Sequence, residues 1–236
     1  MIVMEEKKIV IAGELLTEQR KRLGSHTFLR SGKIYSDTIG MVKEETDTIA
    51  VVALEGCYTA EPNDLIVGVI KDEKFSGYTT DINHFTHAFV SKDEIRDRVK
   101  SGSIISAKVV EINELNEVSL ANVRVFYGGE ILKVSPVKVP RIIGKNGSML
   151  EVLKRGTGTA MIVGRNGYVW LNGGNAELAI KAIRKIEKEA HLNHLTEKMT
   201  AYLQKENPNA RFPSPAEQAK EAAGNVEEEE SELIDG

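Results

Sequence analysis

One cysteine in 236 residues, Cys57, leaves no internal disulfide and no multi-cysteine zinc site to brace this chain. Cys57 itself is expected as a small, half-buried strand residue and not as a nucleophile. His84 and His87 stand close together, but two histidines without a third ligand do not make a metal site. No run of about 18 apolar residues occurs, so no helix is expected to span a membrane. The stretch Met1-Ile2-Val3-Met4-Glu5-Glu6 has neither the basic start nor the long apolar core of a secretory signal. A reducing, cytoplasmic setting is the simplest expectation. Nuclease chemistry would need clustered carboxylates or a His/Lys pair in a cleft. Asp93, Glu94 and Asp97 are clustered but read as the solvated face of a short helix. No catalytic residue, metal or cofactor is expected, and the chain is not read as an enzyme.

Net positive charge is also missing: the formal total is −4. Divided along the chain, the picture changes. Residues 1–127 hold 16 Lys+Arg and 20 Asp+Glu, residues 128–200 hold 12 against 6, and residues 201–236 hold 3 against 9. A basic block is thus hidden in the total by an acidic tail. Such a block is what counterion release on nucleic acid requires.

The chain is long enough for two or three modules with cores of their own. Residues 1–60 read as a small β-domain, with glycine turns at Gly24, Gly32 and Gly40. Within it, Thr48-Ile49-Ala50-Val51-Val52-Ala53-Leu54 reads as a buried strand. Residues 61–127 hold five short strands, the size and count of an OB-type barrel. They are Leu65–Ile70, Phe75–Ile82, His87–Val90, Gly102–Ile112 and Glu117–Leu120, with a helical turn expected over 92–99. The glycine inside the first strand, the aromatic-Gly-aromatic second strand and the late Gly-x-x-Ile-x-Ala-x-Val strand resemble an S1-type RNA-binding domain. Such barrels stack bases on exposed aromatics, which makes Phe75 and Tyr78 candidates, either of which could instead fill the barrel. His84, Phe85 and His87 follow in the next loop.

Residues 128–206 read as strand, helix, glycine loop, helix, strand, strand, helix. The loop is Arg141-Ile142-Ile143-Gly144-Lys145-Asn146-Gly147-Ser148. Its two glycines let a sugar-phosphate backbone come close, because no Cβ stands in the way. Lys145 adds a cation and the next helix offers its first amides to a phosphate. Alone, the pattern also fits a helix-turn-helix with glycine punctuation. With the surrounding elements it resembles a KH domain, whose GxxG loop clamps about four nucleotides. A second set, Gly164, Arg165, Asn166 and Gly167, reads as a structural hairpin turn ahead of RNA contact. Trp170 beyond it is expected in core or interface packing. Ala176, Ala179, Ile180, Ile183, Ile186 and Ala190 share one face of the last helix, capped from Asn172–Asn175. Residues 192–206 are expected to continue that helix, with Leu195, Met199 and Leu203 on one stripe. Residues 207–236, ending in Glu227–Glu230, read as an acidic disordered tail.

The whole is α+β and multidomain: a β-domain, an S1-type OB barrel and a KH domain. That order, with both glycine motifs, resembles the S1/KH family of RNA-binding cap subunits of the archaeal exosome. Gly32-Lys33-Ile34-Tyr35, Leu54-Glu55-Gly56-Cys57-Tyr58, Asp64–Val69, Val139-Pro140-Arg141 and Val163–Gly167 carry the likeness. The family usually has proline at the position of Ala12, and glycine at those of His26 and Asn63.

The resemblance implies a non-catalytic protein that also promotes assembly. Three copies would sit on a hexameric ring of phosphorolytic 3′-to-5′ ribonuclease subunits. The β-domain would dock on the ring, the barrels would line its entry pore and the KH domains would flank it. The Gly164–Gly167 turn would pack between barrel and KH domain. Single-stranded RNA, A-rich or 3′ tails included, would be held by phosphate contacts from Arg141, Lys145, Lys154 and Arg155. The nearest rival is an S1/KH transcription elongation or antitermination factor, although that architecture has tandem KH domains. A polynucleotide phosphorylase would need the reverse domain order and a long catalytic core.

Overall fold

A computed structural model describes residues 8–208, apart from positions 96, 98, 115, 191 and 193. From residue 209 onward, the expected acidic tail lies outside the described residues. The chain forms two compact units, Met1–Cys57 and Tyr58–Gly236.

The first unit is built from short strands: β1 (Ile9–Val10), β2 (Leu15–Thr17), β3 (Arg22–Leu23), β4 (Thr27–Arg30), β5 (Lys33–Ser36), β6 (Gly40–Glu44) and β7 (Thr48–Ala53). They make two sheets, β1-β6-β7-β3 and β2-β5-β4. β7 is buried on one face only. Ile49, Val51 and Ala53 point into the core while Val52 faces solvent. An apolar run therefore adopts the period-2 alternation of a sheet covered on one side. Cys57 is exposed and lies beyond β7, so the half-buried strand position expected for it is incorrect. His26 sits between β3 and β4 with φ 58° and Asn63 precedes the next strand with φ 72°. Both are left-handed positions, which explains why glycine is the usual family residue at each.

The second unit opens with a closed barrel. Its strands are β8 (Leu65–Glu73), β9 (Gly77–Asp81), β10 (Ala88–Ser91), β11 (Ile104–Ile112) and β12 (Val118–Phe126), in the order β10-β12-β11-β8-β9. β10 and β12 run parallel and close it. Ile66, Ile70, Ile82, Val90, Ile105 and Val118 fill the interior. The helical turn expected over 92–99 is only a 3₁₀ turn, Lys92–Glu94. Ile95 is extended there, and with Val99 it turns into the barrel core, where burial outweighs continuing the turn.

The KH part follows: β13 (Glu130–Lys133), α1 (Val139–Ile143), α2 (Ser148–Thr157), β14 (Ala160–Val163), β15 (Tyr168–Asn172), α3 (Ala176–Glu189) and α4 (Leu195–Glu206). The antiparallel sheet has the order β13-β15-β14. Leu132, Met161, Val169 and Leu171 face Met149, Leu153, Ile183 and Met199 of the helices in one core. Asn175 caps α3, its Oδ1 accepting from the N–H of Leu178 at 3.0 Å. The last helix is not continuous as expected. His194 takes φ 55°, which breaks the helical path and starts α4 on a new line. The stripe Leu195, Met199 and Leu203 is buried as its spacing predicts. It packs on α2, where a Cβ at Gly156 would lie 2.7 Å from Leu203 Cδ1.

Candidate nucleic-acid interface

The glycine loop is shaped by two different constraints. Gly144 ends α1 with φ 77° and ψ 176°, its N–H donating to Pro140 O at 2.9 Å. A Cβ there would sit 2.7 Å from the amide nitrogen of Met149 and 3.0 Å from Ser148 Oγ, so only glycine fits. Gly147 also has a positive φ, 78°, but a Cβ would meet nothing within 4 Å. Gly144 makes the loop; Gly147 leaves it open. Asn146 between them is left-handed at φ 52°, a conformation asparagine tolerates. No side chain caps α2 at its Gly147 end, and the Cβ position of Gly147 opens onto free space.

Arg141, Lys145 and Asn146 are exposed around this loop, with Ser148 half-buried at the start of α2. Lys154 and Arg155 stand in the last turn of α2, roughly 10 Å along the helix axis from the loop. Arg155 is engaged by Glu151 one turn earlier. Arg141, Lys145 and Lys154 form no ion pair with a described residue. The structure therefore gathers two of the four expected phosphate-binding cations at the loop and holds the other two at the far end of α2.

On the barrel, Phe75 lies in the β8–β9 turn with its ring fully in solvent. Tyr78 is 8% exposed and belongs to the barrel core, so its proposed stacking role is withdrawn. The reason is register: Tyr78 and Thr80 point inward along β9 while Thr79 and Asp81 point outward. Phe85 is exposed in the β9–β10 loop, its ring 4.0 Å from that of His84. His84 is half-buried, edge-on to Tyr58, and burial pushes its pKa down. His87 is exposed in the same loop. Phe89 escaped sequence reasoning. It faces outward from the middle of β10, between Thr79 of β9 and Ser119 of β12. The alternation in Ala88-Phe89-Val90, with buried residues on either side, was the available signal.

The turn Gly164–Gly167 plugs the KH sheet onto the barrel. Asn166 is fully buried. Its Nδ2 donates to the carbonyls of Val67 at 2.6 Å and Ile82 at 2.8 Å, and its Oδ1 accepts from the N–H of Val67 at 3.2 Å. Its own carbonyl accepts from Asn83 Nδ2 at 2.7 Å, while the N–H of Arg165 donates to Leu65 O at 2.9 Å. Gly164 approaches so closely that a Cβ would lie 2.6 Å from the amide nitrogen of Val67. Arg165 Nε pairs at 3.1 Å with the buried carboxylate of Asp64, which also accepts from Tyr58 Oη at 2.9 Å. Burial first, and then the Asp64 carboxylate, push the Tyr58 phenol far above its usual pKa. Trp170 stacks on Phe126 of β12 at 4.2 Å and donates from Nε1 to Gly128 O at 3.0 Å. The turn is structural, as its hairpin chemistry predicts, and Asn166 offers no surface to RNA.

Among the described residues, no group of three or more His, Cys, Asp or Glu could hold a metal ion. Glu94, from the acidic cluster, accepts from the N–H of Asn122 at 2.9 Å and so braces the barrel. No helix among the described residues is long and apolar enough to cross a membrane.

A closed five-stranded, OB-like barrel joined to a KH sheet with an open glycine loop is the architecture of a two-module RNA-binding protein. Residues 129–177 match the KH domain family. The chain is 37% identical over 223 residues to exosome complex component Rrp4 of Pyrococcus abyssi, covering 86% of this chain and 84% of that one. Rrp4 of Thermococcus kodakarensis is also 37% identical over 223 residues, with 86% and 87% covered. Rrp4 of Methanosarcina mazei is 34% identical over 227 residues, with 90% and 87% covered. A crystal structure described as that of an exosome complex RNA-binding protein superimposes with a TM-score of 0.58 at 28% identity, spanning 65% of this chain and 98% of that one. The chain belongs to the Rrp4 family of exosome complex components.

Proposed function

We propose that this protein is a non-catalytic, RNA-binding cap subunit of an exosome. It captures single-stranded RNA and feeds it through a ring pore to phosphorolytic 3′-to-5′ exoribonuclease subunits. The observation that carries the reading is an open Gly147, flanked by Arg141 and Lys145, which pair with no described residue, on a KH sheet pinned to a barrel with exposed Phe75 and Phe85. Phosphates go to the loop and bases to the barrel aromatics, with Phe89 added and Tyr78 removed. None of these contacts reads a base edge, so binding is sequence-tolerant. Weak, tolerant contacts suit a feeder, because the strand must move on.

Ring docking falls to the first unit, three copies to a ring, in the cytoplasm. Ile9, Ile11, Leu23, Leu29, Ile39 and Val52 of that unit are exposed apolar side chains, available to a partner. The relatives matched over most of the chain are exosome components, which favours the cap reading over an antitermination-type factor. To test it, the protein is tagged in its native cells, the lysate is treated with ribonuclease, and the retained partners are identified. Recovery of phosphorolytic ring subunits is expected. Recovery of RNA polymerase, or of no stable partner, overturns the cap assignment.

A further inference from the structure

Lys181, Arg184 and Lys185 of α3 are paired with Glu177, Glu187 and Glu189. Arg141, Lys145 and Lys154 are not so neutralised by any described residue, and they lie along α1, the glycine loop and α2. This surface attracts any polyanion, and the chain carries one of its own. Residues 201–236 hold 9 Asp+Glu against 3 Lys+Arg, including the run Glu227–Glu230.

The last described residues lie against one end of that surface. Asn207 donates from Nδ2 to Gly156 O at 3.0 Å and from its N–H to Leu203 O at 2.8 Å. α4 therefore ends against the last turn of α2, two residues from Lys154. The glycine loop is the length of α2 away, roughly 15 Å for ten residues. Glu227 lies some twenty positions beyond Asn207, and a chain of that length can span up to about 65 Å. Reach is not limiting.

We propose that the acidic segment around Glu227–Glu230 docks on the Arg141–Lys145–Lys154 surface as an intramolecular competitor of RNA. The inference rests on the RNA-binding reading above. Tethering presents the segment at an effective concentration of about a millimolar, so even a millimolar contact occupies a large share of the surface. A long RNA engaging loop and barrel together displaces it, whereas a short or weakly held strand does not. The consequence is a threshold: stray fragments are turned away and continuous strands are admitted.

The test compares the full chain with the quadruple variant E227Q/E228Q/E229Q/E230Q, using a fluorescein-labelled oligoadenylate and anisotropy. The variant is expected to bind about two- to tenfold tighter at low salt, with the gap closing as salt rises. Carbodiimide coupling is expected to join the Glu227–Glu230 run to Lys145 or Lys154 in the native chain, and excess oligoadenylate to suppress it. Unchanged affinity in the quadruple variant overturns the proposal. So does a gain that persists undiminished when Arg141, Lys145 and Lys154 are also changed to Gln, since that is general repulsion and not docking. Lys145→Gln alone, in the native chain, is the control for the underlying reading. If it leaves affinity intact, the glycine loop is not an RNA site, whatever the tail does.

Discussion

Asn166 and Val67 stand 99 positions apart and hold each other by both ends of one amide. Asn166 Nδ2 donates to Val67 O at 2.6 Å, and Val67 N–H donates to Asn166 Oδ1 at 3.2 Å. A side chain on a KH hairpin thus occupies the place of a neighbouring strand on barrel β8. With the bond to Ile82 O, no hydrogen-bonding group of this amide is spent on water.

Asn166→Ala is expected to lose all three bonds and strand buried partners on β8, at a cost of about 2–4 kcal/mol. Asn166→Asp should cost more, because a carboxylate would face two carbonyl oxygens in a buried site. Urea denaturation reads both. A single transition that splits into two in these variants would show barrel and KH domain unfolding apart. An unchanged midpoint would remove Asn166 as the pin.

The two loop glycines predict opposite phenotypes. Gly147→Asp projects into open space, so it should fold with a loss of about 1–2 kcal/mol for its left-handed φ. Its carboxylate should nevertheless depress RNA affinity by repelling phosphate. Gly144→Ala meets the backbone of Met149 and should destabilise the KH part before binding is at issue. Circular-dichroism melts paired with oligoadenylate titration separate the two. RNA affinity untouched in a folded Gly147→Asp sinks the loop assignment.

The barrel aromatics divide in the same way. Phe75→Ala and Phe85→Ala should leave the melting temperature unchanged and lower single-strand affinity by about 1 kcal/mol or more each. Phe89→Ala should also lower affinity, but its ring is only 38% exposed and lies over Gly77, so it should cost some stability as well. Tyr78→Ala should instead cost about 3 kcal/mol of stability through the cavity it leaves in the barrel. Wild-type stability in Tyr78→Ala would contradict its burial.

His26→Gly should stabilise the first unit by about 1 kcal/mol, because it relieves a left-handed φ of 58°. What it gives up is an exposed contact between His26 Nδ1 and Asp37 Oδ1 at 3.2 Å. Asn63→Gly should gain less, since asparagine tolerates φ 72° far better. Differential scanning calorimetry on each variant decides the order, and a destabilised His26→Gly would refute the strain argument.

Much of this was legible in the sequence because the chemistry involved is local. The glycine spacing at 144 and 147, the Asn-Gly turn at 166 and 167, and the Leu195, Met199, Leu203 stripe each fix a conformation from a few neighbouring residues. What failed to show depends on partners far along the chain. Which way Tyr78 points is set by how β9 pairs with β8 and β10, and no property of Phe75-Ser76-Gly77-Tyr78 decides it. Phe89 went unnoticed for the same reason. The break at His194 follows from α4 finding a groove over Gly156, about forty positions upstream. Cys57 looked like a strand residue by composition, yet it stands exposed beyond β7, where the first unit ends.

Hairpin loops are ordinarily where a protein absorbs insertions without harm, because their tips hang in water. The β14–β15 tip does not. Asn166 is seated among β8 and the β9–β10 loop, so one added residue would swing its amide off Val67 and lever the sheet away from the barrel. The length of this connection is therefore as fixed as its composition. Tags, labels or grafted peptides belong elsewhere.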